Sequence, residues 1–145
     1  MPTTLGTPYP QTWEGRPPHM SGEDLELWLK YRPIAIQKAL KIYFDVGLGG
    51  QTEVPEGTSP EMALMWLRNT QKRIDVLIEE EKKWVIIELR SRAQASAVGR
   101  LLQYFNLWKE DPPDKKIVEL NLVTDTVDQD TKNLAEKLGI TFVVP

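Results

Sequence analysis

From Lys41 to Leu48 the chain alternates between two sides. Ile42, Phe44, Val46 and Leu48 are expected on one side, and Lys41, Tyr43, Asp45 and Gly47 on the other. That period of two is the mark of a strand. Two apolar runs rich in Val and Ile, about 73–78 and 84–90, read as buried strands. The charged stretch from Glu79 to Lys83 between them has room only for a hairpin. Ile117–Val123 and Ile140–Val144 give two more strands. Elsewhere the period is helical. Leu25, Trp28 and Leu29 form the apolar stripe of a helix that begins at Ser21, has Asp24 at the capping-box position and is broken or displaced at Pro33. Helix could resume from Ile34 to about Leu40. Residues 49–58 are a loop, and Ser59-Pro60-Glu61 opens a short helix to about Arg68. Its rival is one long strand from Met62 through Ile78. Ala93 to Lys109 is the clearest helix: Val98, Leu101, Leu102, Phe105 and Trp108 should face the sheet. A polar stripe of Ser96, Gly99, Arg100 and Gln103 runs beside them. Asp128 to Leu138 is a last helix, capped by Gly139. A strand, a helix and a strand in succession predict a parallel, right-handed crossover.

Residues 1–20 hold five of the eleven prolines and no periodic apolar pattern. They are expected to form an extended arm outside the core, with Tyr9 and Trp13 as anchors. Residues 21–145 then make a single domain, a size that supports a real core. The Met residues near 62–66 and the five Trp belong to a core or an interface rather than to a platform for stacking bases. The net charge is -3, so contact with nucleic acid would need a local basic patch. There is no cysteine, which excludes a disulfide framework and a zinc–thiolate site. His19 is the sole histidine, so a His-rich metal site is excluded too. With no secretory signal and no apolar run near about 18 residues, an intracellular or virion-associated protein is expected, with no membrane partner.

Each strand of the hairpin carries an acid that an apolar run should avoid, Asp75 and Glu88. A buried carboxylate is costly unless it is paired or binds a metal. Arg73, Asp75 and Leu77 share one face of their strand; Trp84, Ile86, Glu88 and Arg90 share one face of theirs. If those faces coincide, the two acids meet across the ladder with side-chain roots roughly 5 Å apart. A hard cation, Mg²⁺ or Mn²⁺, would relieve their repulsion and carry substrate phosphate oxygens. Arg90 points at the same spot, where a guanidinium would grip a phosphate.

The order helix, three strands, helix, strand, with Asp75 on the second strand and Glu88-Leu89-Arg90 on the third, resembles the PD-(D/E)xK nuclease superfamily. Gly99-Arg100-Leu101-Leu102-Gln103-Tyr104 is similar to the G-Q-L-L-x-Y pattern of some of its members. The resemblance covers roughly residues 22–144 and implies a restriction-endonuclease-like mixed α/β sheet, an α-β-β-β-α-β core flanked by helices. It implies catalytic roles for Asp75, Glu88 and Arg90, and a metal held by Asp75, Glu88 and an acid of the first helix, Glu23 or Glu26. DNA is the implied partner, met by Arg73, Arg92, Arg100 and Gln103. Three positions depart from the pattern. Ile74 stands for its Pro, Arg100 for its first Gln, and Arg90 for its Lys. Lys can lose a proton and help deliver a water, whereas Arg stays charged.

Three functions follow as alternatives. One is a Mg²⁺-dependent DNA endonuclease, weakened by Arg90. A second is an inactive nuclease-fold protein that binds nucleic acid or serves in assembly, as in a phage or mobile-element complex. A third is a subunit completed by a protein partner or a second copy, tethered through the arm. A structural ion network of Asp75 with Arg73, Arg90 or Arg92 is the plain reading of the same residues.

Overall fold

The computed structural model describes residues 3–145. One five-stranded sheet runs β1-β2-β3-β4-β5: β1 is Lys41–Leu48, β2 Lys72–Glu79, β3 Lys83–Arg90, β4 Ile117–Thr124 and β5 Ile140–Val143. The first two pairings are antiparallel and the last two parallel. The charged tip closes the β2–β3 hairpin as expected. The parallel pairs are joined by α3 (Ala95–Glu110) and α4 (Gln129–Lys137). Both helices contribute to one core layer, which is where crossovers of one hand place them. This is the mixed α/β architecture read from the sequence.

Two apolar layers sandwich the sheet. On one side Val98, Leu101, Tyr104 and Trp108 of α3 and Ala135 of α4 pack on Leu77, Ile86 and Leu122. On the other, Leu27, Trp28 and Tyr31 of α1 (Gly22–Ala35) cover Ile42, Phe44, Val76, Ile87 and Val123. The α1 stripe therefore differs from the expected one: Leu29 is 55% exposed, and Leu27 and Tyr31 are buried. Pro33 does not break the helix, which continues to Ala35. Pro33 stands in the last turn, so the one i→i−4 bond it removes, to Leu29, lies at the helix end and the turns before it stay intact. On α3, Leu102 lies at the solvent edge and Tyr104 takes an interior place.

α2 is a helix, Pro60–Thr70, not part of a long strand. The Ser59 hydroxyl accepts the Met62 N–H at 3.2 Å and Pro60 occupies the first turn, a start signal that the strand alternative lacks. None of its residues is buried; Met62, Leu64, Met65 and Trp66 are all exposed, so they do not join the core.

The arm lies along the free edge of β1. Thr4 and Tyr9 make antiparallel bridges to Gly47 and Ile42. The Tyr9 and Trp13 rings stack on each other at 4.2 Å and reach Phe44. Covering an edge strand in this way removes a template for unwanted pairing. Among the described residues no helix is long and apolar enough to cross a membrane.

Strict alternation fails in the middle of β1. Ile42 and Phe44 belong to the α1 layer, but Val46 and Leu48 belong to the α3 layer. The change of side falls at Asp45, whose φ is 53°. A left-handed residue inside a strand reorients everything after it, and Asp tolerates that conformation better than most residues. β2 changes side at the facing rung: Val76 and Ile78 lie in the α1 layer and Ile74 in the α3 layer. The irregular rung contains Asp45 and Asp75.

Candidate active site

The register of β2 with β3 pairs Leu77 with Ile86 and Val76 with Ile87. One rung further, Asp75 faces Glu88. Asp75 Oδ2 accepts the Leu89 N–H at 2.9 Å, and the Glu88 carboxyl lies close enough to act on it. Burial, then the charge of Glu88, push the Asp75 carboxyl up to about 8, against the pull of the Leu89 N–H. Two carboxyl groups crowded into a buried rung resist ionising together, so Asp75 holds its proton more tightly than a free carboxyl does.

Glu88 is only 1% exposed and every oxygen is engaged. Arg90 Nε donates to Oε2 at 2.8 Å, and Arg100 Nε stands 3.7 Å from the same oxygen. The Tyr104 hydroxyl lies 3.2 Å from Oε1 and 2.7 Å from the Arg73 carbonyl. Burial and the charges of Glu88 and Asp75 raise the Tyr104 phenol, so it stays protonated. Tyr104→Phe strips these buried acceptors of their donor. It should lower stability by about 1–2 kcal/mol, read from a reduced urea midpoint at unchanged slope.

A cleft of about 440 Å³ opens over the pair. Glu23, Asp24, Asp75, Glu88, Arg90, Arg92 and Arg100 all line it. A second cleft, of about 630 Å³, is lined by Lys72, Arg73, Arg100 and Gln103 among others. Arg100 borders both. Of the site residues expected from sequence, all but Glu26 line one of these clefts, in two different states of engagement. Arg73 is committed within the protein, with Nη1 on Asp45 Oδ2 at 2.8 Å and Nη2 on the Arg68 carbonyl at 2.7 Å. The Glu23 carboxylate accepts the Ser91 hydroxyl at 2.7 Å. Asp24 is the acid of α1 whose charge adds to the pressure on Asp75. Its own carboxyl is raised by partial burial, against the opposing charge of Arg90. Glu26 does not line this cleft.

Sequence reasoning passed over Asp24, Asp45, His19 and Tyr104. Asp24 stands at the capping-box position in sequence, yet Ser21 makes no side-chain cap and Asp24 lines the cleft instead. Asp45 stood in an alternating pattern that gave no hint of its left-handed backbone. His19, also left-handed with φ 61°, carries its imidazole to 3.9 Å from Asp45 Oδ2. A small recess of about 40 Å³ joins His19, Asp24, Asp45 and Asp75. Tyr104 carried a signal: its spacing of three from Leu101 and four from Trp108 places it on the buried stripe.

The pair fits a hard divalent cation of the sparse kind. Two acids on adjoining strands that line one open cleft are the donor set that Mg²⁺ takes with waters and phosphate oxygens. It is not a closed protein cage: among the described residues no group of three or more His, Asp or Glu is arranged around a metal position.

A repair endonuclease from Pyrococcus abyssi shares the fold at TM-score 0.50 and 19% identity, over 86% of this chain and 46% of that one. A structure described as an EndoMS–dsDNA complex aligns at 26% identity and TM-score 0.42, over 65% of this chain and 35% of that one. The chain thus spans less than half the length of the solved structures it matches. No curated protein matches it. The family described as the endonuclease NucS C-terminal domain matches residues 68–144, from the end of α2 through β5 and therefore across both acids, and the chain belongs to that family.

Proposed function

We propose that this chain is a DNA-directed nuclease domain that hydrolyses phosphodiesters with Mg²⁺ or Mn²⁺ at the Asp75–Glu88 pair. The observation that carries this reading is the convergence of the two acids from neighbouring strands on one open cleft, which both of them line. Membership of the NucS C-terminal family supports it, as do the cations around the cleft. A bound divalent cation supplies Lewis acidity and neutralises charge on the phosphodiester. Asp75 and Glu88 hold that position, with Asp24 or Glu23 within the same cleft. Arg90 and Arg100 bind the phosphate's charge, and neither takes a proton from water. Tyr104 fixes the Glu88 carboxylate. In this reading Arg90 stands where the PD-(D/E)xK motif has its Lys, so cleavage is slow. Residues 21–145 act as one nuclease-like unit and the described part of the arm, residues 3–20, docks along β1.

A second reading is a DNA-binding module without cleavage. The observation in its favour is the Arg90 guanidinium on Glu88 Oε2, a permanent cation where a metal would compete. Supercoiled, branched and mismatched DNA incubated with Mg²⁺ or Mn²⁺ separates the two. Metal-dependent cutting that chelator abolishes establishes the nuclease. Binding with no cutting of any substrate establishes the module.

A further inference from the structure

The larger cleft beside the acids includes Lys72, Ser96 and Gly99, to which neither the family resemblance nor the proposed chemistry gives a role. It is lined by Gln71, Lys72, Arg73, Ser96, Gly99, Arg100, Gln103 and Tyr104, and contains no carboxylate. In a chain of net charge -3 that is a strong local bias. Gly99 sits on its α3 wall, in the fifth position of a sixteen-residue helix. Its φ is not left-handed, and a Cβ added there meets nothing within 4 Å. Neither backbone geometry nor packing of the fold asks for glycine. Glycine inside a helix weakens it relative to alanine, so the fold bears a cost it does not need. What the missing side chain leaves is space above the helix backbone, open to the cleft.

We propose that this cleft is a sequence-independent subsite for the DNA backbone, in which Lys72, Arg100, Ser96 and Gln103 hold a phosphate neighbouring the scissile one and Gly99 lets the strand approach α3 closely. The proposal rests on the reading of Asp75–Glu88 as the site where a DNA phosphate is bound, because Arg100 joins the two clefts. The ligand is backbone rather than base for a physical reason. Cations and short polar donors recognise phosphate oxygens. Base recognition on a single strand needs an exposed aromatic face, and Tyr104, the one ring lining the cleft, is only 1% exposed. Gln103 and Ser96 stand on the exposed face of α3, so their donors are available to the cleft.

The test is DNA affinity measured in chelator with the full chain, so that metal and cleavage play no part. Fluorescence anisotropy with several unrelated duplex and single-stranded sequences gives the readout. Gly99→Glu places a bulky negative charge in the space and should weaken binding at least tenfold on every sequence. Lys72→Glu should do the same, and Lys72→Ala should reduce the slope of log affinity against log salt by about 1. Lys82→Glu, at the hairpin tip on the far end of β2, should leave affinity within twofold and controls for net charge. Thermal unfolding of each variant confirms the fold, and Lys72→Glu carries the test if Gly99→Glu does not fold. Wild-type affinity in both Gly99→Glu and Lys72→Glu overturns the proposal, as does an effect confined to one base sequence or no DNA binding by the unaltered chain. Binding lost in these variants, together with no cleavage by the unaltered chain, sinks the nuclease reading while leaving the backbone subsite standing.

Discussion

Arg90→Lys should raise metal-dependent DNA cleavage by about a hundredfold at neutral or mildly alkaline pH. A positioned acid–base group contributes roughly 10²–10⁴ to a rate, and Arg cannot serve as one because its guanidinium never gives up its proton. Arg90 has a second effect. Its Nε lies 2.8 Å from Glu88 Oε2, so a fixed positive charge occupies one of the oxygens a divalent cation would use. Lys keeps a charge able to reach phosphate but is a single point donor that can deprotonate. The change therefore restores a proton acceptor and loosens the competitor for Glu88 together. Initial rates of supercoiled plasmid nicking in Mn²⁺ are the measurement. A variant no faster than the unaltered chain would mean that Arg90 does not limit hydrolysis, and would favour the DNA-binding reading.

Asp75→Asn should abolish cleavage, by about 10³-fold or more, because charge stabilisation by a metal is worth several kcal/mol and the variant offers a neutral amide in place of a ligand. Its effect on stability has the opposite sign, and depends on pH. The Asp75 carboxyl is raised from 3.8 to about 8 by burial and by the Glu88 charge. Between those values the folded chain holds a proton that the unfolded chain has released. Stability from this group is therefore fully present below about pH 4, is lost as pH rises toward 8, and changes no further above it. The loss is on the order of 2–3 kcal/mol once the side chain's access to the cleft is allowed for. Asn has no proton to lose. The variant should match the parent near pH 4 and exceed it increasingly up to pH 8 in thermal midpoint. Parallel curves for the two proteins would mean that burial beside Glu88 does not raise the Asp75 carboxyl. Loss of activity with gain of stability is the signature of a residue kept for chemistry rather than for the fold.

The hairpin and the helix after it were legible in sequence because their patterns are unambiguous: two Val- and Ile-rich runs, a charged tip, and an apolar stripe at helical spacing. The meeting of Asp75 with Glu88 followed from pairing those runs. What stayed hidden depends on single backbone angles and tertiary context. Asp45 looks like an ordinary alternating position, and only its φ of 53° reveals that β1 changes side there. The choice between Glu23 and Asp24 turns on how α1 is rotated about its axis, and Leu29 misled the stripe by about one position. α2 was legible as a helix from its cap, but not as an exposed one, because Met, Leu and Trp on a helix normally signal a core. The arm's pairing with β1 had no sequence signal beyond its aromatic residues, since a bridge to an edge strand is made by backbone groups that every residue carries.

The central claim is that Asp75 and Glu88 form one cation-binding centre. A crystal of the full chain soaked in Mn²⁺ tests it directly through anomalous scattering. The account predicts a peak between the two carboxylates, with Arg90 displaced from Glu88 Oε2. No peak between them at saturating Mn²⁺, with Arg90 still on Glu88 Oε2, would contradict it.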